Sequence, residues 1–156
     1  MLDKIDRQII SLLQDNHRLS NVALAEKIGL TASTTHERVK KLEKKGIIEG
    51  YVARVNPVAL GKPILAFIRL VVGSTSNFSQ SKQSIADVCL AEPDVLECHA
   101  LASEDDYILK VRAANTMELE QLIERIRSRA QISNSVTSIV LSSFKETLKL
   151  EPASDV

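Results

Sequence analysis

Aromatic side chains make up only 3% of this chain, so whatever core it builds must be aliphatic. No apolar run approaches the roughly 18–20 residues that a membrane-spanning helix needs, and no charged-then-apolar leader opens the chain. The expected setting is the cytoplasm, with no membrane partner. Cys89 and Cys98 are the only cysteines, too few for a disulfide framework and not spaced as a CxxC zinc pair. Two buried thiols in a reducing compartment are expected, and nothing asks for a metal or a cofactor. Repeats and low-complexity segments are lacking too. So is net charge, but that zero hides an asymmetry. Residues 1–62 carry 11 Lys and Arg against 7 Asp and Glu, a net +4, and residues 63–156 carry 9 against 13, a net −4. A basic head that tolerates DNA phosphates, followed by an acidic body that DNA would repel, fits that split.

What the chain does have is a dense pattern of helix signals between Ser20 and Gly46. Ser20 is a candidate N-cap, and Leu19 with Leu24 matches a hydrophobic staple. Gly29 ends that helix, where a left-handed residue is required. Thr31 then caps a second helix running to Gly46. Two helices joined by a short Gly turn form a helix-turn-helix. At about 100° per residue, Thr35, Val39, Leu42 and Gly46 fall on one side of the second helix. Ser33, Glu37, Lys40 and Lys44 fall opposite, flanked by Thr34, His36, Arg38 and Lys41. Short polar groups at the N-terminal half and cations at the C-terminal half suit a recognition helix on double-stranded DNA. Ser33, Thr34, His36 and Glu37 are the candidates for base edges, and Arg38, Lys40 and Lys41 for phosphates. An outward Glu37 is also at home solvated or paired with Lys41.

Upstream, Leu2, Ile5, Ile9, Leu12 and Leu13 form a helical stripe from about Asp3 to Gln14, with Asp3 as its cap. Downstream, the alternation in Ile47 to Val55 predicts a strand, either a wing or a connector. Asn56-Pro57 and Gly61-Lys62-Pro63 mark a boundary. Pro63 to Val72 reads as a strand apolar on both faces apart from Arg69, and both faces therefore need cover. A helix of about Phe78 to Leu90 follows the loop Gly73 to Asn77, capped by Asn77, with Phe78, Ile85, Val88 and Cys89 as its stripe. Val95 to Leu101 and Asp106 to Arg112 form a hairpin. A helix runs from Asn115 or Thr116 to Arg129, and a last strand covers about Ser135 to Lys145. The order β-α-β-β-α-β is ferredoxin-like. The expected fold is α+β: a winged helix-turn-helix over residues 1–50, a linker over 51–62, a ferredoxin-like body over 63–150 and a frayed tail over 151–156.

The joint order of several motifs resembles the Lrp/AsnC family of feast/famine regulators. Leu2-Asp3, Asp6-Arg7 and Ile10 resemble its opening. Leu24-Ala25 with Gly29-Leu30-Thr31, and Arg38-Val39-Lys40-Lys41-Leu42-Glu43 with Gly46-Ile47-Ile48 and Gly50-Tyr51, resemble its DNA-binding head. Val95-Leu96-Glu97-Cys98, Asp106-Tyr107-Ile108-Leu109-Lys110-Val111 and Ile139-Val140-Leu141 follow its body. The resemblance implies a transcriptional regulator that pairs sheet face to sheet face as a homodimer, commonly assembling to an octamer, and senses an amino acid between dimers. Its ligand turn would be Ser103, Glu104, Asp105, Asp106 and Tyr107, with hydroxyls from Ser135 and Thr137 on the last strand. Ser103 stands where the family has Gly, and a Cβ there opposes positive φ and a close ligand approach. Glu104-Asp105-Asp106 reads either as part of an effector site or as an exposed acidic turn.

Two other functions compete. An effector-independent DNA-architectural protein would share the fold and assembly. A tetrapyrrole decarboxylase-like enzyme would need His and Arg converging in a pocket, and the chain offers only His17, His36 and His99, with Arg69 near His99 in the sheet. No nucleophile–base pair is legible, so no catalytic residue is assigned.

Overall fold

The computed structural model describes residues 2–73, 78–130 and 132–152, and for residues 78–84 the backbone only. The expected Asn77 cap and the Phe78 side chain lie outside that description. The chain divides into two compact units. The head comprises the described parts of Met1–Arg54 and Lys145–Val156, and the body is Val55–Phe144.

The head holds α1 (Lys4–Asp15), α2 (Asn21–Ile28) and α3 (Ala32–Lys44). Each start is fixed by a short polar side chain that accepts an otherwise orphaned N–H. Asp3 and Asp6 form a reciprocal capping box on α1. Ser20 accepts from the Ala23 N–H at 3.2 Å, and Thr31 from the Thr34 N–H at 3.2 Å. Gly29 closes α2 in the left-handed region at φ 72°. Ile9, Leu13, Leu24, Val39 and Leu42 form the core, with Leu2, Ile5, Leu12, Leu19 and Ile48 packed around it. Each such side chain removed from water stabilises by roughly 1.5–3 kcal/mol before entropy is counted.

Ile47 to Arg54 forms no strand, contrary to the strand expected there as wing or connector. The end of α3 captures its start instead. Gly46 (φ 67°) donates to the Glu43 carbonyl at 2.9 Å and Ile47 to the Leu42 carbonyl at 3.0 Å, a Schellman closure. The Tyr51 hydroxyl donates to Glu43 Oε1 at 2.9 Å. Burial and then the Glu43 carboxylate push the Tyr51 phenol up to about 12. An alternating segment still needs a ladder partner, and none pairs with it among the described residues. The C-terminal segment also joins the head. Gln14 Nε2 donates to the Leu150 carbonyl (2.8 Å), the Leu150 N–H donates to Gln14 Oε1 (2.7 Å), and Lys149 pairs with Asp15 at 2.7 Å. The tail from Lys145 groups with the head because Gln14 meets its backbone at both polar atoms.

The body holds β1 (Ile64–Val72), α4 (Phe78–Ala91), β2 (Val95–Ala100), β3 (Tyr107–Ala113), α5 (Thr116–Arg129) and β4 (Ile132–Ile139). The sheet is antiparallel in the order β2-β3-β1-β4, the ferredoxin-like arrangement. The last strand starts and ends earlier than its composition suggests. Its register runs from Val72↔Ile132 to Ala66↔Ile139, the final bond is Val140 N–H to the Leu65 carbonyl, and β1 offers no partner for Leu141 to Lys145. Ala66, Ile68, Leu70, Leu109 and Val111 face α4 and α5 and bury Ile85, Val88, Leu122 and Ile126. The alternate residues Phe67, Val71, Ile108 and Val136 lie on the sheet's other face, over which no helix packs among the described residues. Glu92 is buried after α4, held by Arg125 Nε at 3.1 Å and Arg129 at 3.0 Å.

Candidate nucleic-acid interface and ligand groove

α3 divides as its wheel requires. Thr35, Val39 and Leu42 are buried, while Ser33, Thr34, Glu37, Lys40, Lys41 and Lys44 are exposed. The buried Thr35 hydroxyl is satisfied by donating to the Thr31 carbonyl at 2.9 Å. Thr31 Oγ1 lies 3.1 Å from Ser33 Oγ and 2.9 Å from Thr34 Oγ1. Three hydroxyls thus act together at the helix N-terminus, where the unpaired N–H groups and the helix dipole favour a phosphate or a base acceptor. His36 is half-buried, and the Asn21 amide donates to its Nδ1 at 2.9 Å. That bond leaves the proton on Nε2, so a neutral His36 presents a donor. Sequence reasoning missed Asn21 and Thr31 as partners of this face. Their signal was available, one being the first residue of α2 and the other the α3 cap.

Arg38, expected at a phosphate, is paired within the head. Its Nη1 lies 2.6 Å from Asp3 Oδ2 and 2.7 Å from Asp6 Oδ1, clamping α3 to the N-terminus of α1. The two carboxylates hold the guanidinium above its ordinary value. The Asp6 N–H, then Arg38, hold Asp3 below the ordinary carboxylate value. Lys40 and Lys41 are exposed on the same helix.

In the body, Ser103 to Asp106 forms the turn between β2 and β3. Ser103 is not at positive φ, because the turn is built without a left-handed residue, and its hydroxyl donates to the Asp105 carbonyl at 3.0 Å. Asp106 is structural: Oδ2 accepts the Val72 N–H at 2.7 Å, and its own N–H donates to the Leu70 carbonyl. Asp105 pairs with Arg69 at 3.2 Å. Glu104 is exposed. Tyr107 is buried, and its hydroxyl has no hydrogen-bond partner among the described residues.

Ser135 and Thr137 lie elsewhere, on the helix side of β4. They line a groove of about 340 Å³ with Leu119, Ile123 and Ile139 as apolar wall and Glu120, Glu124 and Arg127 at the rim. Arg127 was not singled out from sequence. Its Nη2 donates to Ser135 Oγ at 2.6 Å and its Nε at 3.1 Å. The turn and the groove share one end of the sheet, since Tyr107 and Ser135 both pair with Leu70, but no turn residue lines the groove. An enzyme-like convergence is also missing among the described residues. His99 is exposed beside Glu97, Arg69 is engaged with Asp105, and His17 and His36 belong to the head.

Comparison with known proteins agrees with this geometry. Residues 2–49 match the winged helix-turn-helix DNA-binding model, and residues 65–150 match the Lrp/AsnC ligand binding domain. Together they define the class, a transcriptional regulator with a DNA-binding head on a ligand-binding body. The HTH-type transcriptional regulator FL11 of Pyrococcus furiosus is 34% identical over 96% of this chain and 96% of its own. The leucine-responsive regulatory protein of Haemophilus influenzae is 36% identical over 94% and 87%. A Neisseria meningitidis transcriptional regulator, solved as a complex with L-Met, has a TM-score of 0.89 at 31% identity, covering 96% of each chain. A feast or famine regulatory protein from M. tuberculosis, complexed with L-methionine, has a TM-score of 0.88 at 32% identity, covering 97% of this chain and 100% of that one. The chain belongs to the Lrp/AsnC family of transcriptional regulators. It is a regulator and not an enzyme, and the decarboxylase alternative is set aside.

Proposed function

We propose that this regulator reads double-stranded DNA with α3, as half of a homodimeric reader, and that its body takes an amino acid in the Ser135–Thr137 groove. The observation that carries the DNA reading is the division of α3, with hydroxyls at its exposed N-terminal half and Lys40 and Lys41 exposed toward its C-terminal end. Ser33, Thr34, His36 and Glu37 are assigned to base edges, with Glu37 suited to a cytosine amino group. Two copies would present α3 to successive major grooves about 34–36 Å apart on a pseudo-palindromic site. A Lys40→Ala/Lys41→Ala double variant should weaken binding to operator and non-operator DNA alike and lower the salt slope by about two contacts at most. Fluorescence anisotropy across a salt series measures both quantities. Wild-type affinity and slope in the double variant would remove the phosphate assignment.

The groove's chemistry supports an α-amino acid. Arg127, which lies 3.6 Å from Glu124, offers a guanidinium to a carboxylate, Glu120 offers a carboxylate to an ammonium, and Leu119, Ile123 and Ile139 accept an apolar side chain. L-methionine, found with two structural neighbours, is the first probe. At about 100 times its dissociation constant it should stabilise the protein by about 2.7 kcal/mol. Arg127→Ala and Thr137→Val should abolish the thermal shift. A shift that survives both would move the site away from the groove. Wild-type protein that responds to none of the amino acids would favour an effector-independent architectural role.

A further inference from the structure

The base-edge side of α3 has to tell donors from acceptors, because that pattern distinguishes bases in the major groove. Ser33 and Thr34 carry hydroxyls, which donate or accept as required and sort bases poorly. Glu37 is exposed, and a carboxylate accepts only. His36 has no polarity of its own. A neutral imidazole carries its proton on either nitrogen, and the other nitrogen accepts. Asn21 fixes that choice. Ser20 caps α2 by accepting the Ala23 N–H, which leaves the Asn21 side chain to reach across to α3. Its Nδ2 lies 2.9 Å from His36 Nδ1. An amide nitrogen has protons to give and accepts none, so Nδ1 accepts and the ring proton sits on Nε2. Both residues are half-buried. His36 lies about 60° round α3 from the buried Val39, at the margin between core and exposed side. The bond spans two helices whose spacing is set by a shared core, Leu24 on α2 with Val39 and Leu42 on α3, and by the Gly29 turn. The ring is therefore oriented before DNA arrives, and little ordering is left to be done on binding.

We propose that Asn21 is a positioning residue for base recognition, holding His36 as an Nε2–H donor that rejects cytosine at the position it reads. Guanine N7 and O6, adenine N7 and thymine O4 accept that proton, whereas cytosine presents only an amino donor in the major groove. A cytosine there would set donor against donor and leave both without a partner, which costs more than a missing contact. Glu37, the next residue, has the opposite polarity, so the two side chains ask for different bases. Asn21 itself touches no base. This role rests on α3 being the recognition helix, and it adds the residue that sets the polarity of that helix.

The test uses the full chain, with circular dichroism to verify folding of each variant. Duplexes with a randomised core are selected for binding to the wild type, Asn21→Ala and His36→Ala. The wild type should exclude cytosine at one position of each half-site. Both variants should admit it at that same position, losing about fivefold in discrimination or more, with the salt slope unchanged. Nitrogen-15 spectra of histidine-labelled protein locate the proton without DNA, at about pH 8, above the roughly 6.5 of a free imidazole. His36→Ala identifies the resonances. The wild type should show a bare Nδ1 and a protonated Nε2, and Asn21→Asp, whose carboxylate only accepts, should draw a proton to Nδ1. A protonated Nδ1 in the wild type, or an Asn21→Ala variant that melts lower but keeps its base preference, would overturn the role of Asn21 and leave the DNA reading standing. So would relaxation of different positions by Asn21→Ala and His36→Ala. A wild type that selects no sequence would overturn the reading of α3 as well. The wild-type spectrum and selection decide should a variant fail to fold.

Discussion

Arg38 lies on the polar side of a helical wheel and still faces a neighbouring helix. The wheel resolves inside from outside for one helix, and it cannot see that the capping box of α1 presents two carboxylates to the flank of α3. The clamp on Asp3 and Asp6 has a pH signature. Asp3 has a lowered pKa in the folded head, so its contribution is complete above the ordinary value of 3.8 and is lost as pH falls through the lowered value. Arg38→Ala should remove part of that acid-range dependence and leave the part owed to the Asp6 N–H. It should lower the melting temperature at neutral pH while leaving the salt slope of DNA binding unchanged. Melting curves at pH 2 to 6, chosen to bracket the roughly 3.9 of a free aspartate, check the first claim. A salt-dependent anisotropy series checks the second, and a reduced slope would return Arg38 to the phosphates.

Elements show which information is local. The three head helices are legible because their caps, stripes and stops lie within a few residues of one another: Asp3, Ser20 and Thr31 start them, and Gly29 stops α2. Strand limits are set by a partner distant in sequence. The alternation after Gly46 has no such partner among the described residues, and β4 ends where β1 begins, so composition alone sets neither limit. The hydroxyls of Ser135 and Thr137 were legible through family resemblance, whereas Arg127 depends on how α5 lies over β4. Two substitutions separate local from non-local control. Gly29→Ala meets no atom within 4 Å, so its cost is the left-handed backbone alone, about 1–2 kcal/mol in urea denaturation. Gly29→Asn should recover part of it. Glu92→Gln keeps the shape but removes the charge that holds Arg125 and Arg129. Because both arginines reach solvent, the expected loss is about 1–3 kcal/mol, below that of a fully buried pair.

At the scale of the whole molecule, the question is what covers the second face of the sheet. One face is closed by α4 and α5, and the other presents Phe67, Val71, Ile108 and Val136 with no helix over it among the described residues. A β1 strand apolar on both sides apart from Arg69 is wasteful in a monomer, because half-buried Phe67 and Val71 leave apolar area in water that does not offset their ordering. A second copy laid on that face would bury the patch and bring a second α3 to the DNA. On the proposed dimeric reading, the modest net charge of +4 in residues 1–62 favours such pairing, since a single copy would neutralise few phosphates. Phe67→Glu would place a carboxylate in the middle of the patch and leave the helix-side core untouched. It should weaken dimerisation by at least about thirtyfold, the scale of a central interface residue. Operator affinity should fall more steeply than non-specific affinity, because only specific binding uses two half-sites. Light scattering over a concentration series, with circular dichroism to verify folding, measures the first effect. A folded Phe67→Glu variant that remains dimeric would place the contact between copies on another surface.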